Sequence, residues 1–319
     1  MTSSADIAAA AATDAAGIAA TDAAGIAATD AAGRVWLITG ASRGLGRAFA
    51  EAALAAGDRV AALARSADAL DRLADEHGRE RVLPLPADVT DRAAVFAAVE
   101  RAVERFGRLD VVVNNAGTMA LGAVEEFGEQ EARAALEVNF FGALWVSQAV
   151  APRLRAQGGG RLLQISSVGG VVAGPMTGLY GASKFALEGM SEALAQELAP
   201  FGVRLTLVEP GGYWTDLYRG GIRCTEPLDA YAPLRAAPEG AAGEPTDSEP
   251  RLAAAALLEL VASDDPPLRL VLGGSVLDAL IAVTRERIET WRRWEPVSRA
   301  AEQPVPMPAG YLENKRIEG

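Results

Sequence analysis

The run Val35-Trp36-Leu37-Ile38-Thr39-Gly40-Ala41-Ser42-Arg43-Gly44-Leu45-Gly46 decides the reading of this 319-residue chain. Its first residues have the apolar, β-branched character of a buried strand. Three glycines follow before a helix-forming stretch opens at Arg47-Ala48-Phe49. Glycines at such a turn let the backbone bend tightly and approach a pyrophosphate, and the helix after it aims free N–H groups at the same anion. The spacing is Thr-Gly-x-x-x-Gly-x-Gly rather than the commoner Gly-x-Gly-x-x-Gly. A lone glycine motif says little; a place after the first strand of an alternating chain gives it weight.

Working outward, short apolar runs recur at Val35–Thr39, Arg59–Ala64, Val82–Pro86, Val111–Asn114, Arg161–Ser166, Arg204–Glu209 and Arg269–Leu272. Helix-period segments lie between them, among them Asp91–Phe106, Gln130–Arg155 and Tyr180–Ala199. This alternation predicts an α/β fold: a Rossmann-type, doubly wound, mostly parallel seven-stranded sheet with helices on both faces. One domain is expected over about residues 34–300, with tails at 1–33 and 301–319. Tyr213–Pro250 is too long and too rich in Gly, Pro and Ala for an ordinary connection, so it reads as a substrate lid or a floppy loop. The first tail carries three copies of an eight-residue unit, Ala10–Gly17, Ile18–Gly25 and Ile26–Gly33, each ending Ala-Thr-Asp-Ala-Ala-Gly. A Gly in every unit weakens the helix that Ala favours, so disorder is expected there.

Composition excludes several classes. A net charge of −12 and a pI near 4.8 argue against nucleic acid and anionic membrane surfaces as partners. No apolar run approaches the roughly 20 residues of a membrane span. The single cysteine, Cys224, allows no intrachain disulfide and points to a reducing compartment, the cytoplasm. The single histidine, His77, sits in Asp75-Glu76-His77-Gly78. A Ser-His-Asp hydrolase would need it beside a nucleophile, and zinc would need more soft ligands, so it reads as a surface residue and no metal is expected. Only two lysines occur, Lys184 and Lys315.

Further motifs follow the glycine turn in order: Asp88-Val89, Asn114-Asn115-Ala116-Gly117, Asn139, Ser167, Tyr180-x-x-x-Lys184 and Pro210-Gly211. Together they resemble the short-chain dehydrogenases/reductases over about residues 34–275. The resemblance implies hydride transfer between a nicotinamide and a carbonyl/alcohol carbon. It implies a cofactor cradle of Thr39, Gly40, Ser42, Arg43, Gly44, Leu45 and Gly46, with Asp88 and Val89 at the adenine. Asn115, Ala116 and Gly117 would line the floor, Lys184 would grip the nicotinamide ribose, and Pro210, Gly211, Tyr213 and Thr215 would hold the carboxamide. The implied catalytic set is Asn139, Ser167, Tyr180 and Lys184. Relatives pair helices equivalent to Gln130–Arg155 and Tyr180–Ala199 across a dimer face, implying a homodimer or homotetramer.

The residues themselves support this chemistry. Hydride transfer to a carbonyl needs a proton donor for the developing alkoxide. Tyr180 and Lys184 lie four apart and share one helix face. A buried ammonium about 5 Å from a phenol is worth roughly 3 kcal/mol at an effective dielectric of 20, or about two pKa units; with the positive charge of an oxidised cofactor, it brings Tyr180 into working range. Ser167 closes a strand upstream of Tyr180, where its hydroxyl would orient the carbonyl oxygen; Ser166 is the neighbouring alternative. Asn139 is a polar residue in an apolar helix, which by itself reads as a satisfied core amide; the resemblance implies instead that it holds a water linking Lys184 to solvent. A second Tyr-x-x-x-Lys, Tyr311 to Lys315, follows no strand and reads as coincidence.

NADP(H) is the expected cofactor. Where NAD-type relatives carry Asp at the end of the second strand, this chain has Ala64, with Arg65 next and Arg43 in the turn. Guanidinium forks suit a 2′-phosphate, which an acidic residue would repel. Apolar residues in Tyr213–Leu234 and Val276–Trp294 suggest a small apolar ketone or secondary alcohol as substrate. Three alternatives stand: a non-catalytic NADP(H)-sensing or scaffolding protein, an extended-branch dehydratase or epimerase, and an enoyl reductase. The retained Tyr180 and Lys184, the glycine spacing and the Tyr-to-Lys interval argue against them in turn.

Overall fold

The structure, a computed structural model, describes residues 33–215, 221–236 and 247–306. The repeats of the first tail, the Tyr311–Lys315 pair, residues 216–220 and 237–246 of the expected lid and the end of the second tail lie outside the described residues. In chain order the strands are β1 (Val35–Thr39), β2 (Arg59–Ala64), β3 (Val82–Pro86), β4 (Val111–Asn114), β5 (Met119–Leu121), β6 (Gly160–Ile165), β7 (Val203–Pro210), β8 (Ile222–Cys224) and β9 (Arg269–Leu272). Seven form one sheet in the order β3-β2-β1-β4-β6-β7-β9, every neighbour parallel. The order reverses at β1, so the crevice between the ends of β1 and β4 is the switch point where open α/β sheets bind ligands.

Nine helices of α type are described: α1 (Gly44–Ala55), α2 (Ala67–His77), α3 (Arg92–Phe106), α4 (Glu129–Leu136), α5 (Gly142–Ala156), α6 (Gly178–Leu198), α7 (Ala232–Arg235), α8 (Pro250–Ala262) and α9 (Gly274–Ala300). Strand side chains alternate between two cores, which is why β1 is buried throughout. Trp36 and Ile38 join Phe49 of α1, Leu70 of α2 and Leu257 of α8. Val35 and Leu37 join Val95 and Val99 of α3 and Val150 of α5. Each such large side chain contributes about 1.5–3 kcal/mol on burial. Local signals set the helix ends: Ser66 and Asp91 cap α2 and α3 by accepting from Ala69 N and Ala94 N, and Gly107 closes α3 in the left-handed region.

Three features differ from the sequence reading. The expected helix over 130–155 is interrupted by a π-turn, Glu137–Phe141, between α4 and α5. The extra residue re-aims Asn139, whose side chain is fully engaged off the helix, and such π-bulges gather at functional sites. β5 and β8 pair with each other in parallel, and at three residues each they are too short to show a period. The run Glu129–Ala156 is also long and apolar enough to cross a membrane by length and composition. It lines the core through Val146, Ala149, Val150 and Leu154, which accounts for its apolar content.

The chain divides into two compact units at 272/273, inside the span that reads as one domain to about residue 300. Residues 276–294, expected to contribute to an apolar pocket, fall in the second unit. Its helix α9 exposes Trp291 and Trp294.

Candidate active site

β1 ends at Thr39, which ties the glycine turn to the end of β4. Its hydroxyl accepts from Asn115 N at 2.9 Å and Ala116 N at 3.0 Å, while Asn115 Nδ2 donates to Thr39 O at 2.9 Å. Two glycines are required here. Gly40 has φ +68, and a Cβ on it would lie 2.8 Å from Asn115 Nδ2. A Cβ on Gly46 would lie 2.4 Å from both Asn115 Nδ2 and Gly40 O. Any side chain would push the turn off Asn115 and close the cradle. The side chain of Thr215 lies against Gly44, where an added Cβ would meet Thr215 Cβ at 3.3 Å.

The α1 terminus is built for an anion. Arg43 at its N-cap makes no side-chain cap, and no acidic residue occupies the first turn, so the first N–H groups are left uncapped by side chains. Arg43 and Arg65 follow neighbouring strands, both are exposed, and neither guanidinium is paired among the described residues. Ser42 and Leu45 in the turn are half-buried. Asp88 after β3 is half-buried and accepts from Thr90 N at 3.0 Å and Thr90 Oγ1 at 2.9 Å. Val89 is a core residue packed against Gly142. Free guanidiniums, an uncapped helix start and a glycine cradle fit a phosphate-bearing dinucleotide.

The expected catalytic residues meet at the ends of β4 and β6 and on α6. Lys184 is buried and its Nζ donates to Ile165 O at 2.9 Å, 6.0 Å from the Tyr180 ring centroid. Burial lowers its pKa from 10.5 to about 8, with Glu188 opposing. Burial likewise pushes the Tyr180 phenol up, with Ser167 opposing. Burial thus favours the protonated phenol, the form that donates a proton; the fall expected from Lys184 together with an oxidised nicotinamide belongs to the cofactor-bound site. Ser167, not Ser166, faces Tyr180. Between them lies Gly169, where an added Cβ would meet Tyr180 Cε1 at 3.0 Å and Ser167 Oγ at 3.5 Å.

Asn139 is a satisfied buried amide. Its Oδ1 accepts from Thr118 N at 2.8 Å, and its Nδ2 donates to Thr118 O and Ser183 Oγ, both at 2.9 Å. It therefore fixes the segment after β4 to α6. Gly117 lies beside it: a Cβ there would be 3.3 Å from Asn139 Oδ1 and 3.7 Å from Lys184 Nζ. Pro210 is buried at the end of β7, and Gly211 N donates to Leu272 O. Tyr213 packs into the core, so its ring is taken up by packing. Among the described residues, Glu51, Glu76 and His77 gather closely enough to hold a metal ion, but Arg47 already pairs with both carboxylates.

Sequence reasoning missed Ser183 and a latch on the expected lid. Ser183 was legible only as a small polar residue in the buried stripe of α6. Glu126 accepts from Ala123 N at 2.8 Å, Leu228 N at 2.8 Å and Thr225 Oγ1 at 2.7 Å, and pairs with Arg235. Arg235 above all holds its carboxyl down at about 2. The latch and the β5–β8 pair give residues 221–236 a defined place, so this part of the expected lid is structured. Because the folded value lies below the ordinary 4.5, the latch is complete above pH 4.5 and is lost as pH falls towards 2. In Glu126→Gln, amide exchange over residues 222–228 is expected to rise about tenfold at neutral pH, with little change in the sheet. Unchanged exchange there would show that the carboxylate does not hold the segment.

Three comparisons bear on this site. The family described as short chain dehydrogenase matches residues 34–221. An oxidoreductase of Botryotinia fuckeliana, BOA17, is 38% identical over 271 residues, covering 84% of this chain and 99% of that protein. The crystal structure of a short-chain dehydrogenase from Streptomyces avermitilis superimposes with a TM-score of 0.79 at 39% identity, covering 86% of this chain and 100% of that one. A short chain dehydrogenase from Burkholderia cenocepacia in complex with NADP gives a TM-score of 0.66 at 29% identity, covering 82% and 97%.

Proposed function

The chain belongs to the short-chain dehydrogenase family, and from that membership we propose that it is an NADP(H)-dependent reductase of an apolar ketone. The observation that carries the chemistry is the grouping of Ser167, Tyr180 and a buried Lys184 beside the glycine cradle. When bound, the nicotinamide supplies the hydride. Tyr180 Oη gives its proton to the carbonyl oxygen, and Ser167 Oγ orients that oxygen. Lys184 binds the ribose hydroxyls and stabilises the phenolate left behind. Asn139 keeps Thr118 and α6 in register beneath them.

The choice of NADP(H) rests on Arg43 and Arg65, unpaired among the described residues, and on Ala64 in place of an acidic residue. The NADP bound by the Burkholderia cenocepacia relative supports it. The structured segment 221–236 exposes Leu228 and Leu234, which favours an apolar substrate. The free Cys224 suits a reducing cytoplasm. An NADP(H)-sensing protein without turnover is the competing reading, and the intact catalytic set speaks against it.

Arg65→Asp combined with Arg43→Ser tests the cofactor assignment. Losing two charge-assisted phosphate contacts should lower the NADPH/NADH ratio of kcat/KM by about a hundredfold or more. A ratio unchanged within about twofold would mean that neither arginine meets the 2′-phosphate.

A further inference from the structure

One turn beyond Lys184, on the same face of α6, lies Glu188, nearly as buried as the lysine. A carboxylate in that place needs a cause, because neither hydride transfer nor cofactor binding as described uses it. Glu188 Oε2 receives Arg269 Nη2 at 3.0 Å and Nε at 3.1 Å. Arg269, on β9, also reaches Glu192 Oε1 at 2.8 Å and Glu209 Oε1, on β7, at 3.3 Å. Around Gly170 the elements close tightly: an added Cβ would meet Ser166 Oγ at 2.5 Å and Glu188 Oε1 at 3.1 Å. Glu188, Glu209 and Lys184 are thus three buried ionisable groups behind the reacting centre. Arg269 is the cation that both buried carboxylates share.

Burying two carboxylates beside one guanidinium is costly unless the site has a further positive charge to stabilise. Lys184 supplies it. Among the described residues its ammonium has one hydrogen bond, to Ile165 O, and an isolated ammonium in this position would shed its proton. One helical turn away on the same buried face, the Glu188 carboxylate opposes that loss. Burial first, and then Glu188, hold Glu209 up at about 7; burial pushes Glu188 up as well, and Arg269 opposes that rise.

We propose that Glu188, clamped by Arg269, is a positioning residue that acts through Lys184: its carboxylate is the counter-ion that keeps the catalytic ammonium protonated. The inference rests on Tyr180 and Lys184 being the proton-handling pair. Among the described residues, the ionisable groups to weigh beside Lys184 are Tyr180, Glu188 and Glu192 from α6, and Glu209 from β7 and Arg269 from β9, which are tied to Glu188. Of these, Glu188 is on the lysine's own face one turn away, and Glu192 is exposed.

The two-lysine composition makes the test direct. With lysine carbon-13-labelled at Cε in the full-length protein, only Lys184 and Lys315 report, and Lys315→Arg assigns them. Titrated by NMR, the Lys184 midpoint should fall by about one pH unit in Glu188→Gln. It should stay within about 0.2 unit in Glu197→Gln, an exposed carboxylate farther along the same helix. A Lys184 midpoint that does not fall in Glu188→Gln overturns the inference. If Glu188→Gln does not fold, Glu188→Asp retracts the charge by one methylene; a fall of about half a unit supports the counter-ion, and no fall overturns it.

The titration needs no substrate, so it separates this inference from the reductase reading. A Lys184 that shifts in a protein reducing no ketone keeps the counter-ion and removes the reductase. With a working ketone, the alkaline limb of kcat/KM should move down with the Lys184 midpoint. Damage to structure alone would lower Tm and kcat and leave the limb in place.

Discussion

Tyr180→Phe is expected to lose turnover by about a thousandfold or more while its Kd for NADPH stays within about twofold of the wild type. The ring and its packing remain; only the phenolic proton is removed. Burial favours the protonated phenol, so Tyr180 holds the proton to be given. Among the described residues Ser167 is the hydroxyl facing the phenol, but an aliphatic alcohol is too weak an acid to protonate an alkoxide with useful driving force. Turnover within about tenfold of the wild type would move the proton donor elsewhere. Tyr311→Phe serves as the control and should leave the chemistry untouched.

Lys184→Met should cost most of the activity and yet make the protein more stable. The buried ammonium titrates at about 8 in the folded chain against 10.5 in an ordinary lysine, so at pH 7 the folded state bears roughly 3 kcal/mol of desolvation. Methionine removes that cost but leaves Ile165 O without its donor. A net gain of about 1 kcal/mol, or about 3 °C in Tm, is expected at pH 7. The sign with pH follows from which state binds more protons. Below pH 8 both folded and unfolded chains carry the proton and the cost is fully present. Between 8 and 10.5 the unfolded chain holds the proton more tightly, so wild-type stability rises and the advantage of Lys184→Met shrinks. NADPH binding should weaken, because the ribose loses its cation. Thermal melts from pH 6.5 to about pH 10 check this; an advantage that grows with pH would contradict it.

Such a trade, stability given up at a functional position, marks what could be read from the chain beforehand. All seven strands of the main sheet were legible, because fully buried parallel strands such as Val35–Thr39 are apolar throughout and flanked by turn residues. The glycine cradle was legible because Gly40 and Gly46 leave no choice of side chain. Tyr180, Lys184 and Ser167 were legible as a spaced set, and the geometry brings them together. What escaped detection depends on three-dimensional approach. The π-turn at Asn139 arises from partners at Thr118 and Ser183, distant in the chain. The latch joins Glu126 to residues about a hundred positions on. Glu188 looks like any helix glutamate until Arg269 and Glu209 are seen to close over it.

The central claim is that this site passes a hydride from NADPH to a ketone carbon, with the proton coming from Tyr180. Its most direct test is isotope transfer. NADPH carrying deuterium on one or the other face of C4 is incubated with the protein and a series of apolar ketones of increasing chain length, and the products are analysed by mass spectrometry. The account predicts an alcohol that gains deuterium at the carbinol carbon from one face of NADPH and not from the other, and predicts that Tyr180→Phe yields none above background. NADPH oxidation with no label in any alcohol, or equal label from both faces, would contradict it.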